Sequence, residues 1–591
     1  MSVPAIIRQL SIERFRGIRS LKWNPVPGMN VVLGGGDVGK TTPLEAVALL
    51  LSPSNTLVLS EADYWQRKSD DEFCIRAVLS LPSSSDITRQ QKLALPWAWN
   101  GSDAVSPPVP SDADDDIPAP LEPVYCFQVR GTAELEITWE IVHPNDETDI
   151  LPVALRRQIG VVRLSGDERN DRDLRLVYGS ALDRLLADTA LRARIGQQVA
   201  RFDLRNSLSD DARANLAKLD KALNKESLPS KLDLGLTSSQ GLSIGALIGL
   251  MAESDEGVSL PLASWGAGTR RMTTLQIAAA TESETRVTVI DELERGLEPY
   301  RVRKLARALQ TEPTQSFVTT HSAVAISASD QAHLWYLDPA GNIGALPREK
   351  ITRQQARDPE TFLCRLAIIV EGLTENGFVS YLLERAIEGE LLDHGLRVCL
   401  GQGNEATLDL LEAMASAGLR FGGFADNEAK FPGRWSTLKA RMGDLLFQWS
   451  AGSTDQNVIA QIPFDKLTAL LTGVDPNLSA RRRFTLAERL GISDRSLEAI
   501  QVKAKADSID LRDLIIAAAT GNADGAPDDD SAKLWKGHGR AWFKTERGGR
   551  ELAGYMFALG AWPALQPPLL VFLNAVRAAL HQPPISDVAH E

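Results

Sequence analysis

Hydrophobic and polar positions near the start of the chain predict strands followed by a helix. Apolar residues alternate with polar ones between Ile6 and Ile12, and an apolar run covers Met29–Leu33, as is typical of strands. Glycines follow at once, and the apolar positions of Thr42–Leu51 then recur with helical spacing. Pro43 falls in the first helical turn, where its missing N–H is harmless. We therefore expect a strand, a glycine-rich loop and a helix in succession.

Short apolar runs later in the chain predict two further groups of buried strands. The first group is Val287–Ile290, Ser316–Thr319 and Leu334–Leu337, and the second is Leu366–Val370, Val398–Leu400 and Phe421–Ala425. From about residue 436 onward the pattern is mostly helical.

Two other segments stand out by composition. Residues 101–124 are rich in Pro, Asp and Ser, which predicts a mobile surface insertion. Residues 166–228 are highly charged with helical spacing, which predicts two or more amphipathic helices inserted into the flanking domain.

The composition narrows the class of protein. A chain of 591 residues is expected to form roughly three to five domains. Its 43% hydrophobic and 24% charged residues exclude a largely disordered chain. The four cysteines lie far apart with no CxxC pair, which excludes a disulfide scaffold and a cysteine-based zinc site. The net charge of −13 disfavours a uniformly basic nucleic-acid binder but is compatible with a local basic patch.

The distribution of apolar residues also bears on location. No apolar stretch reaches the roughly 20 residues that span a bilayer. The first residues carry charges where a signal peptide is apolar. We therefore expect a cytoplasmic protein with no membrane partner.

The glycine-rich loop from Gly34 to Thr41 matches the phosphate-binding pattern GxxxxGK[ST]. Backbone N–H groups of such a loop turn towards phosphate, and the following helix N-terminus adds a favourable dipole. Lys40 is predicted to reach the β- and γ-phosphates of ATP, and the Thr41 hydroxyl to join the Mg²⁺ shell. The candidate ATP-binding residues here are Gly34, Gly36, Gly39, Lys40, Thr41 and Thr42.

An acidic pair supplies the second element that a phosphate loop needs. Asp291 and Glu292 directly follow the strand predicted at Val287–Ile290. Asp291 is predicted to join the Mg²⁺ shell, and Glu292 to polarise the attacking water as the catalytic base.

Two further motifs narrow the class of ATP site. Ser264, Gly266 and Gly268 precede a helix predicted over Arg271–Ala280, a position suited to the γ-phosphate of a nucleotide held by another subunit. His321 follows the strand at Ser316–Thr319 and is suited to contact the γ-phosphate.

In this order the four motifs resemble those of the ABC ATPase superfamily. The resemblance implies an α/β fold and a homodimer, or a higher homo-oligomer, that forms through the ATPase region with two composite ATP sites at its interface. It also implies that Gly296–Pro299 forms the D-loop. Gly36 stands where a polar residue is common, and we still expect ATP to bind. A transporter is disfavoured without a transmembrane segment, and the soluble relatives act mostly on DNA or RNA.

A second group of acidic residues follows the strands predicted in the C-terminal half. Glu371 comes directly after the strand Leu366–Val370, and Glu375 lies in the first turn of the next helix. Asp426 and Glu428 follow the later strand, and alternate residues of an extended segment point the same way. These four carboxylates predict a site for divalent metal ions.

These strand ends, with the loop Gly401–Asn404, resemble a TOPRIM domain, although TOPRIM more often has Asp-x-Asp where this chain has Asp426-Asn-Glu428. An ABC ATPase followed by a TOPRIM domain resembles the overcoming-lysogenization-defect (OLD) family of nucleases. The phosphate loop, reading GDxGKTT, is most similar to the class 2 members. Members of that class are encoded beside a superfamily-one helicase, as in Gabija-type phage defence. The resemblance therefore implies such a helicase as a partner.

The resemblance implies a domain order and further site residues. The ATPase would occupy residues 1–165 and 241–350, a helical dimerisation insertion 166–240, and the TOPRIM nuclease with its helical subdomain 360–591. The site would use two metal ions, Mg²⁺ with Mn²⁺ and Ca²⁺ as alternatives, together with a further acid and a lysine. Asp455 is the candidate acid, although the family favours Glu. Lys544 is the candidate lysine, with Lys533 and Lys536 as rivals.

We therefore expect an ATP-binding ATPase that controls a metal-dependent DNA endonuclease or nickase. Glu292, Lys544 and Glu371 are the candidate catalytic residues, and a basic strip over residues 533–550 is suited to hold the DNA backbone. One alternative is a nucleotide-gated ATPase scaffold or toxin regulator with an inert TOPRIM site. Another is a repair ATPase related to SMC and RecF, which the lack of sustained heptads weakens.

Overall fold

The computed structural model describes residues 4–36, 38–55, 57–82, 94–107, 121–164, 174–177, 180–186, 249–253, 259–280, 286–338, 340–473 and 475–588, with the isolated positions 85, 87, 191, 194, 210, 214 and 217. The chain divides into two compact units. The first comprises residues 1–29 and 41–319, and the second comprises residues 30–40 and 320–591.

The described strands are numbered in chain order. They are β1 (Ile6–Phe15), β2 (Ile18–Trp23), β3 (Met29–Leu33), β4 (Phe73–Ser80), β5 (Trp97–Trp99), β6 (Ala104–Val105), β7 (Glu122–Gly131), β8 (Ile137–Val142), β9 (Thr148–Ile150), β10 (Val161–Leu164), β11 (Met251–Glu253), β12 (Ser259–Pro261), β13 (Val287–Ile290), β14 (Ser316–Thr319), β15 (His333–Leu337), β16 (Ile343–Leu346), β17 (Leu366–Val370), β18 (Leu396–Leu400), β19 (Phe421–Ala425) and β20 (Leu446–Gln448).

The described α-helices are numbered in the same way. They are α1 (Thr41–Leu50), α2 (Val153–Ile159), α3 (Ala181–Leu186), α4 (Ala267–Ala280), α5 (Pro299–Thr311), α6 (Ala323–Ala328), α7 (Arg348–Arg357), α8 (Leu373–Ala386), α9 (Asn404–Ala417), α10 (Pro432–Met442), α11 (Thr454–Gln461), α12 (Pro476–Arg489), α13 (Leu497–Ala506), α14 (Leu511–Thr520), α15 (Asp529–His538), α16 (Glu546–Ala558) and α17 (Trp562–Ala579).

The first unit contains an antiparallel sheet in the order β2–β1–β4–β7–β5–β6, with β8 beside β7 and β9 beside β8. Along β1 the apolar Leu10 and Ile12 are buried while Glu13 is exposed, as expected for a strand with one covered face. Gly131 pairs with Phe73 across β7 and β4. A side chain at Gly131 would overlap the Phe73 ring, so the aromatic core here requires a glycine.

The same unit contains three parallel strands in the order β10–β13–β14. All residues of β13 and β14 are buried, which is the pattern of parallel strands covered on both faces. Gln315, just before β14, accepts a hydrogen bond from the Ile7 N–H at 2.8 Å and donates to the Ile7 carbonyl at 3.0 Å. This buried amide fixes the start of β14 against β1.

The second unit contains a fully parallel sheet in the order β18–β17–β19–β20. Gly422 and Gly423 lie within β19, where a Cβ would come within 2.6 Å of the Ile368 side chain and 2.7 Å of the Leu446 side chain, respectively. The glycines therefore permit the close packing of this sheet. Elsewhere in the unit β3 runs parallel to β15, and β16 antiparallel to β15.

Glycines also let α8 and α16 pack at close range. A side chain on Gly377 would overlap the Glu546 backbone, and one on Gly549 would overlap the Thr374 backbone. The Thr374 hydroxyl donates to the Phe543 carbonyl at 2.9 Å. The contact fixes the segment just before α16 against the first turn of α8.

The structure confirms most of the predicted elements and corrects two boundaries. The eight predicted strands fall on β1, β3, β13–β15 and β17–β19. Helices dominate after residue 436, where β20 is the described strand. The helix predicted at Arg271–Ala280 begins earlier, at Ala267. The segment 101–124 is strand at both ends, in β6 and the start of β7, and its residues 108–120 lie outside the described residues. Most of the insertion predicted at 166–240 also lies outside them, and α3 is its described helix.

Candidate functional site

The phosphate loop follows β3 and is built around Lys40. The Lys40 side chain is 6% exposed, and its Nζ donates to the carbonyls of Gly34 at 3.1 Å and Gly35 at 2.6 Å. Gly39 has a φ of +83°, a conformation that favours glycine. Gly34 lies so close to the Leu337 carbonyl that a Cβ would come within 2.7 Å of its oxygen. Two of the loop glycines are therefore required by backbone geometry.

The remaining loop positions differ in exposure. Gly36 is exposed, and Thr42, the second residue of α1, is buried. Asp37 lies outside the described residues.

Asp291 stands at the carboxyl end of β13 and is held by two hydroxyl groups. Its Oδ1 accepts hydrogen bonds from Thr319 at 2.6 Å and from Thr41 at 3.2 Å. Thr41 thus meets the acidic residue with which it is predicted to share Mg²⁺. Thr319 was not identified as a site residue from the sequence, because only its contact with Asp291 distinguishes it from the end of an ordinary strand.

Glu292 has an unusual backbone conformation. Its φ is +50°, its N–H donates to the Thr319 hydroxyl at 2.9 Å, and its carboxylate pairs with Arg295 at 3.1 Å. Non-glycine residues rarely adopt positive φ, and such positions cluster at functional sites. Arg271, from α4, donates to the Asp291 carbonyl and so braces the same turn.

The first turn of α4 packs on the loop after the acidic pair. Gly268 lies against the Gly296 carbonyl, where a side chain would overlap it. Ser264 is exposed, and its hydroxyl donates to the Pro261 carbonyl at 2.7 Å. Gly266 is exposed as well.

His321, which follows β14, is also exposed and belongs to the second unit.

The carboxyl edge of the parallel sheet in the second unit bounds an open cavity of about 690 Å³, here called the acidic cavity. It is lined by Glu371, Gly372, Leu373, Thr374, Glu375, Gly403, Asn404, Glu405, Asp426, Glu428, Lys430, Phe431 and Lys544. The structure therefore brings the four predicted metal-binding carboxylates and the predicted lysine to one cavity.

Glu371 lies directly after β17, where two donors hold its carboxylate. Its Oε1 accepts from the Asn404 amide at 3.0 Å and from the Asp426 N–H at 3.1 Å. Burial and the negative charge of Asp426 nevertheless raise the pKa of Glu371 to about 7.

Asp426 lies after β19 and is buried. Its Oδ1 accepts from both the N–H and the hydroxyl of Thr454, at 2.8 and 2.9 Å. Burial raises the pKa of Asp426 to about 6 against the effect of these hydrogen bonds, and the charge of Asp455 adds to the increase. Glu428, two residues on, is exposed and pairs with Lys430 at 2.7 Å.

Glu375, in the first turn of α8, is the most strongly perturbed of these carboxyls. Burial, followed by the charges of Asp426 and Asp455, raises the pKa of Glu375 to about 8. Asp455 is fully buried in the first turn of α11, and burial raises its pKa too. Its Oδ2 forms an ion pair with Lys544, while its Oδ1 is buried with no hydrogen-bond partner.

Of the three lysines considered for the catalytic role, Lys544 is the one that lines the acidic cavity. Burial alone would lower the pKa of Lys544, but the carboxylates of Asp455 and Glu375 outweigh it and raise the pKa. The rivals Lys533 and Lys536 are exposed on α15 and do not line the cavity. The close packing of α8 against α16 carries Lys544 to this position, which sequence spacing does not reveal.

The donor chemistry of the acidic cavity fits a divalent cation, since carboxylate oxygens are the ligands that such ions prefer. A cation would offset the burial and the nearby negative charges that raise the pKa values of Glu371 and Glu375. The Oδ1 of Asp455 is buried without a hydrogen-bond partner. Within the described residues, however, no three His, Cys, Asp or Glu side chains stand close enough together to hold an ion. The carboxylates would have to draw together to bind one.

Among the helices in the described part of the chain, none is long and apolar enough to cross a membrane.

Comparison with known families gives a match over the N-terminal half. The model of the family described as "AAA domain, putative AbiEii toxin, Type IV TA system" matches residues 29–327. No curated protein sequence matches the chain.

Several solved structures are similar at low identity. An Smc head domain with an extended coiled coil, bound to the C-terminal domain of ScpA and derived from Pyrococcus furiosus, is 13% identical with a TM-score of 0.31, covering 59% of this chain and 98% of that one. The SMC head domain from Thermotoga maritima is 12% identical with a TM-score of 0.25, covering 57% and 98%. The recombination mediator RecF with ATP is 12% identical with a TM-score of 0.31, covering 58% and 99%.

Proposed function

The chain belongs to the AAA-domain family whose model matches its residues 29–327, and from that premise we propose that it is an ATP-controlled, metal-dependent DNA endonuclease or nickase. The N-terminal part has a P-loop ATPase fold, and the nuclease assignment goes beyond the family. The observation that carries it is the acidic cavity, where Glu371, Glu375 and Asp426 meet Lys544.

The ATPase half of the proposal is supported by the arrangement around Asp291. The hydroxyls of Thr41 and Thr319 both donate to Asp291, as expected for residues that share a Mg²⁺ shell. Lys40 would bind the phosphates of ATP, and Glu292 would polarise the attacking water. In a homodimer, Ser264 of a second copy would complete the site, as the resemblance to ABC ATPases implies.

The nuclease half of the proposal assigns roles to four carboxylates of the acidic cavity. Glu371, Glu375, Asp426 and Glu428 would hold one or two divalent ions, with Mg²⁺, Mn²⁺ and Ca²⁺ as candidates. Bound there, a metal supplies positive charge against the oxygens of a phosphodiester.

The same proposal gives Lys544 and Asp455 a joint role. The Lys544 ammonium would stabilise the charge that builds up on the cleaved phosphate, and Asp455 would keep that ammonium charged and oriented. The free Oδ1 of Asp455 would be a further metal ligand.

The nuclease type proposed is that of the OLD family, with a TOPRIM domain over residues 360–591. Phage defence or DNA processing, a helicase partner and dimerisation through residues 166–240 belong to the same proposal. They rest on the resemblance in sequence motifs alone.

The decisive experiment is cleavage of supercoiled plasmid by the purified protein with Mg²⁺, Mn²⁺ or Ca²⁺, with and without ATP. Asp426→Asn is the test variant, because an amide oxygen can still accept both hydrogen bonds from Thr454. We expect wild type to nick or linearise the plasmid and Asp426→Asn to lose at least 100-fold of that activity. Glu498→Gln, an exposed change on α13, is the matched control and should cleave normally. Equal cleavage by Asp426→Asn and wild type, with contaminating nuclease excluded, would refute the assignment.

A second function is a nucleotide-gated scaffold or an SMC- or RecF-like ATPase without nuclease activity. Two observations favour it: the described carboxylates form no ready three-ligand cluster, and Lys544 is already paired with Asp455. Intact plasmid with every metal, from protein that hydrolyses ATP, would select this second function.

A further inference from the structure

A second cavity, of about 430 Å³, opens beside the acidic cavity in the same unit. Its lining includes Asn427, Lys430, Trp435, Ser436, Lys439 and Gln448. Lys430 lines both cavities. The segment 427–431, which joins β19 to α10, therefore lies between them.

The backbone of this segment is unusual. Ala429 has a φ of +57° and Phe431 a φ of +52°, although neither is a glycine. Residues held in this left-handed conformation are uncommon, and they cluster at sites that clamp a ligand. At Phe431 the result is an aromatic side chain that is 40% exposed on the rim of the acidic cavity.

A cation holds the Phe431 ring in place. The Arg434 guanidinium lies over the ring, 5.6 Å from its centroid. Arg434 is itself fixed by Asp409 at 2.5 Å and by Glu412 at 2.8 Å. The hydrogen bond and charge of Arg434 also lower the pKa of Glu412 to about 2, so the pair stays ionised. Phe431 is thus a braced aromatic platform whose uncovered side faces solvent.

Two lysines, Lys430 and Lys439, line the second cavity and are its candidate groups for binding an anion. The Lys439 ammonium donates to the Leu446 carbonyl at 2.5 Å and lies 3.9 Å from Asp444. Lys430 pairs with Glu428 at 2.7 Å, but both side chains are largely exposed, and such pairs are weak enough for a phosphate to compete. Ser436 adds a hydroxyl group to the lining, while the Asn427 and Gln448 amides donate to the carbonyls of Ser450 at 2.9 Å and Asp426 at 3.3 Å.

We propose that segment 427–431 and the second cavity form a subsite for one unpaired nucleotide of a DNA strand. The second cavity holds that nucleotide, and Lys430, which lines both cavities, binds its phosphate. Phe431, on the rim of the acidic cavity, stacks on the base that follows. A volume of about 430 Å³ is near the lower end of the roughly 300–1,000 Å³ of small-ligand pockets, so it admits a nucleotide but not a base pair. An exposed ring can stack only on a base that has left its helix. The subsite rests on the proposed nuclease function and makes its substrate single-stranded or locally opened DNA.

The test measures DNA binding without cleavage. A short single-stranded oligonucleotide with one 2-aminopurine is titrated into Asp426→Asn protein, and the intact length of the DNA is checked on a gel. We expect tighter binding of this strand than of its blunt duplex, and quenching of the 2-aminopurine as it stacks.

Added to Asp426→Asn, Phe431→Ala should weaken single-strand binding by roughly tenfold and remove the quenching, since one base–aromatic stack contributes about that much. Phe431→Tyr, which keeps the aromatic ring, should restore both. Lys430→Met should remove one contact with a phosphate. The slope of log affinity against log salt concentration should therefore become shallower by about 1. Phe464→Ala and Lys466→Met, exposed changes that line neither cavity, are the matched controls.

Equal affinity for strand and duplex, or unchanged binding in Phe431→Ala, would overturn the subsite, and so would a failure to bind either DNA. Failure of the proposed function has a different signature, intact plasmid after incubation of wild-type protein with each metal. Since the binding experiment needs no cleavage, either result can occur without the other.

Discussion

Replacing Glu375 by Gln should stabilise the metal-free protein. Glu375 is buried at the floor of the acidic cavity, next to Asp426 and Asp455. With its pKa raised to about 8, the folded protein binds a proton that the unfolded chain releases near pH 4.5. Stability therefore falls as pH rises from about 4.5 to 8, and above pH 8 the loss is complete. The amide carries no charge, so the variant lacks this loss.

The magnitude follows from the width of that pH window. Each pH unit within this window changes the free energy of unfolding by about 1.4 kcal/mol. The carboxyl of Glu375 therefore lowers the free energy of unfolding by roughly 3 kcal/mol at pH 7 and roughly 5 kcal/mol at pH 9. The buried amide of the variant still loses its hydration, which costs on the order of 1 kcal/mol. We therefore expect a net gain of about 2 kcal/mol at pH 7 and about 4 kcal/mol at pH 9. For a unit of this size, each kcal/mol of change in the free energy of unfolding shifts Tm by about 2–4 °C.

The assay is thermal unfolding in EDTA at pH 5, 7 and 9, repeated with Mn²⁺. The Tm of Glu375→Gln should exceed that of wild type by an amount that grows with pH. Mn²⁺ should raise the Tm of wild type most at pH 9, where the cation offsets the most repulsion, and should raise that of the variant less. Glu405→Gln, an exposed change on the wall of the same cavity, is the control and should give no such gain. A Tm difference that is absent, or equal at pH 5 and pH 9, would show that Glu375 is not buried against other negative charges.

Three further predictions concern the ATPase half. Glu292→Gln should keep ATP affinity but lose roughly 100-fold or more of its turnover, since an amide cannot polarise water; equal phosphate release by variant and wild type would place the base elsewhere. Thr319→Val should lower the rate of ATP hydrolysis, whereas Thr319→Ser should not, because serine keeps the hydroxyl that donates to Asp291. Equal rates in the two variants would show that this hydrogen bond is dispensable. Lys40→Ala should lose ATP affinity and, if bound ATP restrains the nuclease, should cut plasmid at ATP concentrations that inhibit wild type. If ATP instead stimulates cleavage by the wild type, bound ATP activates the nuclease and does not restrain it.

The strand ends of both halves could be predicted from the sequence because buried parallel strands are encoded locally. Runs such as Leu366–Val370 have no polar residue, and the residue that follows each run must lie at the carboxyl edge of its sheet. Glu371 and Asp426 are therefore adjacent because β17 and β19 are neighbours, and the register Val370↔Phe424 brings their ends together. The start of α4 was predicted too late because glycine disfavours helix interiors, whereas Gly268 is needed for its contact with Gly296.

The partners of the acids could not be predicted in the same way. Lys544 reaches Asp455 across 89 positions of sequence, through a helix contact that depends on glycines. Thr454 next to Asp426 and Thr319 next to Asp291 are single hydroxyls with no pattern of their own. Their roles come from tertiary contacts, which local spacing does not encode.

The electrostatics of the acidic cavity argue for a cation as its natural occupant. Neutral side chains of similar size would fill the positions of Glu371 and Glu375 without the pKa increases that burial and nearby charges impose. Destabilising charge of this kind is typical of functional sites, where it is retained for what it binds. Lys544 pairs directly with Asp455, and its charge opposes but does not cancel the pKa increases of Glu375 and Asp426. A scaffold would gain nothing from burying these carboxyl groups together, whereas a site for divalent ions would, because a bound cation offsets both their burial and their repulsion.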